Sequence, residues 1–268
     1  MVPGFLSLIF SALIVTTVAA PVAAEVITDE VTYRAGETLM KGMLAWDDSV
    51  EGRRPGVLVV HEWWGQNDYA RRRARMLAEL GYTALAVDMY GDGRTAEHPD
   101  EAGRFAGAVS GNLPLAKARF DAALAALRSQ PTVDGERVAA IGYCFGGGVV
   151  INMARLGTDI DGVVSYHGSL ATDHPAAAGD IRTRLLVFNG ADDTLVTAAQ
   201  IAAFKQEMDA AGARYTFVNY PGALHSFTNP AADEVGRKFG LPLAYNAEAD
   251  RDSWAKTREF FREIFAGE

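Results

Sequence analysis

A single cysteine, Cys144, stands in the segment Arg137-Val-Ala-Ala-Ile-Gly-Tyr-Cys-Phe-Gly-Gly-Gly148. An apolar run there meets a Gly-x-Cys-x-Gly turn and then a second apolar stretch. A nucleophile presented on a sharp strand-to-helix turn has a strained backbone and no room for side chains at its flanks, and Gly142 and Gly146 supply that room. At the start of a helix the thiol also faces free backbone N–H groups and the positive end of the helix dipole, both of which stabilise a thiolate. The Phe145 N–H, next after the nucleophile, is expected to point at a developing oxyanion. Taken alone, the same segment describes a small buried cysteine beside a tight helix–strand contact, so the partners decide.

A thiolate needs a base, and a turn of this kind draws it from later loops in the order nucleophile, acid, histidine. Residues 185–196 read as a buried strand that breaks at Gly190 into a loop bearing Asp192 and Asp193. Residues 215–220 read as another strand, ending at Pro221-Gly222 with His225 just beyond. His225 is expected to take the Cys144 proton, and Asp193 to fix its tautomer and stabilise the imidazolium. Asp192 is read as a turn cap, although the two aspartates are interchangeable on sequence alone. Earlier, Val57-Leu-Val-Val-His-Glu-Trp-Trp-Gly65 ends a strand where this architecture takes a second oxyanion donor, and the Trp63 N–H is the candidate. Glu62, beside it, is expected to face the site, where a carboxylate disfavours the free thiolate until substrate arrives. His61-Glu62 does not extend to a zinc motif, since position 65 is Gly, and His98, His167 and His174 are scattered, so no metal is expected.

The elements that must hold these residues follow from periodicity. Residues 26–33 and 38–46 form an opening antiparallel hairpin around Arg34-Ala35-Gly36. From Gly56 onward, short apolar runs at 57–61, 83–88, 138–142, 162–166, 184–189 and 215–220 alternate with helical stretches at 68–80, 115–128, 149–156, 198–211 and 253–265. Alternation of this kind predicts an α/β fold with a mostly parallel central sheet flanked by helices. The nucleophile, acid and histidine all emerge at the carboxyl edge of that sheet, where sites in such folds gather. Arg71, Arg72, Arg73 and Arg75 are read as the solvated face of a helix.

The 268 residues are 49% hydrophobic and 22% charged, with 34 acidic against 25 basic side chains and a formal net charge of -9. Such a balance offers no general basic field for nucleic acid and points to small-molecule partners. The apolar segment before Glu25, ending Val22-Ala23-Ala24, reads as a signal peptide over residues 1–24, with a retained membrane anchor as the alternative. Residues 25–268 are then one domain, exported to the periplasm or secreted, with no stable membrane span after cleavage and expected to act as a monomer. Export is compatible with the lone cysteine only if Cys144 serves a purpose other than an internal disulfide.

At Gly-Tyr-Cys-Phe-Gly-Gly (142–147), Asp193-Thr-Leu-Val, His225-Ser-Phe, His-Glu-Trp-Trp-Gly (61–65) and Asp88-Met-Tyr90 the chain resembles the dienelactone hydrolase family of the α/β-hydrolase fold. The resemblance runs from about residue 26 to 265. It implies that Cys144, Asp193 and His225 form a catalytic triad, that Glu62 holds the resting thiol, and that the Trp63 and Phe145 amides make the oxyanion hole. It also implies cleavage of an enol lactone through a thioester acyl-enzyme, with no cofactor. Two arginines that bind the substrate carboxylate in chlorocatechol-pathway members are here Asn229 and Asp92, and Arg94 lies near enough to the second to substitute. Arg94, Tyr90 and Asn229 are accordingly the candidate substrate contacts, and Trp63, Trp64, Tyr90, Tyr143 and Tyr166 the candidates for an aromatic acyl pocket. A ligand-binding protein without turnover on the same fold, and a thiol redox protein lacking a resolving cysteine, are the competing readings.

Overall fold

The computed structural model describes residue 1 and residues 25–266. The expected leader at residues 1–24 therefore falls, but for Met1, outside the described residues. Eight strands form one sheet in the order β1-β2-β4-β3-β5-β6-β7-β8. The strands are β1 (Val26–Ala35), β2 (Thr38–Asp47), β3 (Arg54–Val60), β4 (Thr83–Val87), β5 (Val133–Tyr143), β6 (Gly162–Tyr166), β7 (Arg184–Gly190) and β8 (Tyr215–Tyr220). β1 and β2 pair antiparallel around Gly36, whose φ of 60° suits a residue without a side chain, and β2 joins β4 antiparallel. From β4 to β8 every pairing is parallel, and the strands inside the β8 edge are covered on both faces. β4 and β6 accordingly read as unbroken buried runs with no alternation.

Helices α1 (Asp68–Ala78) and α7 (Ala247–Phe265) cover one face of the sheet, through Ala74 and Leu77 of α1 and Phe260, Phe261 and Phe265 of α7. The other face is covered by α2 (Pro99–Ser110), α3 (Leu113–Arg128), α4 (Phe145–Arg155) and α5 (Ala198–Ala211), whose Phe120, Val150, Ile151 and Phe204 lie in one core. A short α6 (Ala232–Phe239) follows β8. Among the described residues no helix is long and apolar enough to cross a membrane.

Three expectations shift. α2 and α6 were not read from the sequence. α4 starts at Phe145 rather than at 149, so its first turn is nearly all glycine. Arg73 does not belong to a solvated face: it is buried, donating to Asp250 Oδ1 at 2.5 Å and to the Thr228 carbonyl at 2.8 Å, with Tyr69, Tyr143 and Trp254 around the guanidinium. Charge alone suggested exposure, but the i, i+4 spacing of Arg73 with Leu77 places it on the sheet-facing side of α1. The helix is capped by Asn67, which accepts from the Tyr69 and Ala70 amides.

Candidate active site

β5 runs into α4 through Cys144, whose φ of 52° and ψ of -115° lie where side-chain-bearing residues are rare. That backbone is held rather than relaxed. The Cys144 N–H is shared between the Tyr166 carbonyl (3.0 Å) and His167 Nδ1 (3.1 Å), and the Gly146 N–H donates to the His61 carbonyl (3.1 Å). The two flanking glycines are required by contact: a Cβ on Gly142 would sit 2.1 Å from the Gly146 oxygen, and one on Gly146 would sit 2.3 Å from the Val60 oxygen.

The side chain so presented meets its expected partners. Cys144 Sγ lies 3.1 Å from His225 Nε2, and His225 Nδ1 lies 2.7 Å from Asp193 Oδ2. Asp193 is buried and its Oδ1 accepts from the Leu195 amide at 2.8 Å, so the turn after β7 is closed by Asp193 itself. Asp192 is exposed, which separates two residues that sequence left interchangeable. Burial opposes a charge on His225, but the Cys144 sulfur and the Asp193 carboxylate outweigh it and push the imidazole up to about 10. An imidazolium facing a sulfur is the arrangement that stores a thiolate. Trp63 and Phe145 border the same cavity as Cys144 and His225. The Phe145 amide lies in the first turn of α4, where N–H groups have no partner within the helix.

Glu62 does not hold the thiol in this structure. It is buried, with Oε1 accepting from Ser226 Oγ (2.9 Å) and Oε2 from Asn229 Nδ2 (2.6 Å). Burial pushes its carboxyl up, against those two donors and the His225 and Arg73 charges. Asn229 is thereby engaged and does not line the cavity. Arg94 is exposed and turned back on its own loop, donating to the Gly91 carbonyl (3.1 Å) and to the Tyr90 carbonyl. Tyr90 is buried between Phe105 and Phe145, its hydroxyl donating to the Trp63 carbonyl at 2.9 Å. None of these three candidate substrate contacts is among the residues that line the cavity. Of the five aromatic candidates, Trp63 alone does so; Tyr143 and Tyr166 stack on each other in the opposite core.

Two residues that sequence reading passed over lie directly behind the nucleophile. Because His167 Nδ1 accepts from the Cys144 amide, its proton sits on Nε2, which donates to Thr228 Oγ1 at 2.8 Å. Thr228 continues to the Tyr69 hydroxyl (2.7 Å), which accepts from Arg73 Nε (3.2 Å). Burial first, and then the His225 and Arg73 charges, hold His167 well below the usual histidine range, so it is neutral. Its position immediately after the buried strand β6, at the carboxyl edge, was the signal available in the sequence. His61 is likewise buried and neutral, lowered to about 4 by burial, with Nε2 accepting from the Met89 amide.

The cavity measures about 500 Å³ and its walls are largely apolar, formed by Trp63, Leu113, Phe145, Val149, Val196 and Leu243. Ser110, Asn152 and Ser169 are its uncharged polar side chains. A second cavity of about 560 Å³ lies at the amino ends of the strands, lined by Arg128, Glu136, Asp159 and Arg182. It contains no cysteine, serine or histidine, and Arg128 and Asp159 face each other at 3.5 Å. The chemistry belongs to the first cavity. Among the described residues no group of His, Cys, Asp and Glu has the spacing to hold a metal ion.

A sequence profile described as the dienelactone hydrolase family matches residues 40–265. The chain is 38% identical to a dienelactone hydrolase-like promiscuous phosphotriesterase from metagenomic libraries, whose crystal structure superposes with a TM-score of 0.84, covering 90% of this chain and 99% of that one. A protein of Methylorubrum extorquens provisionally named carboxymethylenebutenolidase is 29% identical over 79% of this chain and 73% of its own. An uncharacterised protein of Caenorhabditis elegans is 35% identical over 56% of this chain and 94% of its own.

Proposed function

Given that the chain belongs to the dienelactone hydrolase family and is a carboxylic ester or lactone hydrolase of that type, we propose that it acts through a Cys144–His225–Asp193 triad and a thioester acyl-enzyme. The observation that carries this reading is the unbroken chain of contacts from Sγ to Nε2 at 3.1 Å and from Nδ1 to Asp193 at 2.7 Å, opening onto the apolar cavity.

The Cys144 proton passes to His225 Nε2 as substrate is engaged, so that Sγ acts as a thiolate beside an imidazolium. Sγ attacks the carbonyl carbon, and the negative charge that moves to the carbonyl oxygen is received by the Trp63 and Phe145 amides. The tetrahedral adduct collapses with cleavage of the acyl C–O bond, and His225 gives its proton from Nε2 to the departing alkoxide. His225, now neutral, takes a proton from water as that water attacks the thioester; the acid product leaves and the thiolate and imidazolium are restored. Asp193 keeps Nδ1 protonated throughout and balances the imidazolium charge. A phosphotriester, named for the metagenomic relative, asks the same nucleophile and oxyanion donors of a site, and belongs in the same assay.

The test is a pre-steady-state assay of purified protein with an activated carboxylic ester and an enol lactone, following product release and the mass of the protein, with Cys144→Ser and His225→Ala alongside. The expected result is a burst and an acyl mass on Cys144, with kcat/KM at least about a thousandfold lower in each variant. Saturable binding without turnover supports instead a ligand-binding protein on this fold. Alkylation of Cys144 at the rate of a free thiol, without turnover, overturns the reading.

A further inference from the structure

Apart from the Cys144–His225 pair, whose charges are committed to each other and to Asp193, the side chains that line the catalytic cavity are uncharged. No arginine or lysine is among the residues that line it. Arg94 is exposed and donates to its own loop, Arg119 donates to the Met89 carbonyl at 2.6 Å, and Arg73 is paired with Asp250. Asn229 is locked onto Glu62 at 2.6 Å, and Asp92 is exposed on the loop after β4. A carboxylate entering this cavity would exchange its water for leucine, valine and aromatic surface without a cationic partner, which is the costly way to bury a charge. The whole chain adds to the discrimination, because a net charge of -9 repels an approaching anion. The volume of about 500 Å³ falls within the range that encloses a whole small ligand, so acyl and alcohol portions are both in contact with these walls.

We propose that the site selects uncharged, largely apolar carboxylic esters or lactones and discriminates against substrates that carry a carboxylate. Ser110, Asn152 and Ser169 offer hydrogen bonds to a hydroxyl or carbonyl group and none to balance a charge. The proposal rests on the triad reading, and the test separates the two.

The test compares p-nitrophenyl hexanoate with mono-p-nitrophenyl adipate, which differ only by a terminal methyl against a carboxylate, at pH 7 and corrected for uncatalysed hydrolysis. The hexanoate is expected to have the larger kcat/KM, by about 10- to 100-fold. Leu195 borders the cavity and is 53% exposed, so it accepts replacement without disturbing the core. Leu195→Arg is expected to raise the ratio of the adipate to the hexanoate kcat/KM by about tenfold. Equal values for the two esters, or a ratio unchanged in Leu195→Arg, overturn the proposal while an acyl mass on Cys144 leaves the triad standing. Absence of acyl transfer from hexanoate to Cys144 removes the triad reading and this proposal with it.

Discussion

Cys144 and His225 face each other at 3.1 Å while Glu62, two residues beyond the end of β3, is fastened to Ser226 and Asn229. Glu62 is thus a strut between the loop after β3 and the loop that carries His225. Glu62→Gln keeps the shape but turns an amide N–H₂ toward one of two donors, so it should lower stability by about 1–3 kcal/mol in urea unfolding. It should also leave the rate of Cys144 alkylation no higher than in the parent; a clear rise would assign Glu62 a gating role. The pH dependence follows from His225, which is raised from 6.5 to about 10 and supplies the leaving-group proton in the proposed mechanism. Ester turnover should hold through neutral pH and fall as pH passes about 10, where the imidazolium is lost, which a pH–kcat/KM profile measures. Because the folded-state value lies above the ordinary one, the stability contributed by this charge is complete below pH 6.5 and is lost as pH rises through about 10.

At the scale of elements, the turn between β5 and α4 has no slack. Gly146→Ala places a methyl group 2.3 Å from the Val60 carbonyl oxygen, 2.6 Å from its carbon and 2.7 Å from the His61 carbonyl oxygen. Backbone cannot yield as a flexible side chain would, so the variant should lose about 3 kcal/mol or more and turn over ester poorly even where it folds, as circular dichroism melts and burst amplitudes will report. Glycines at 142 and 146 were legible as a demand for space because the demand is local. The parallel strands were legible for a related reason: each is an apolar run that needs no partner information to be recognised. α2 escaped because its interior carries Gly103 and Gly107, which blur helical periodicity, although His98 followed by Pro99, Asp100 and Glu101 is a readable start signal. α6 has Asp233 and Glu234 in its first turn, Arg237 and Lys238 in its last, and Gly240 at its end, but is only eight residues long. The burial of Arg73 was illegible because its partners, Thr228 and Asp250, are more than 150 residues away in the chain.

Over the whole molecule, the order nucleophile, acid, histidine led to three residues that lie within contact of one another, because the parallel sheet delivers all three loops to one edge. The cavity walls were not located in the same way, since Ala106, Leu113, Ser169, Leu195 and Leu243 come from separate loops and helix ends and follow no spacing rule. Arg94, Tyr90 and Asn229 were near the site in sequence terms, yet their hydrogen bonds turn them to loop carbonyls or to Glu62. The leader remains an expectation at this scale: if residues 1–24 direct export and are removed, the protein recovered outside the cytoplasm should begin at Glu25 by N-terminal sequencing, and a start at Met1 would favour the anchor. The wall residues differ in how near they lie in the chain to Cys144, Asp193 and His225, and that has its own consequence. Leu113 and Leu243 stand on elements that carry none of the three reacting residues, whereas Leu195 and Val149 share a loop or helix with one, so the first two walls are where pocket shape can change with the least disturbance to the chemistry.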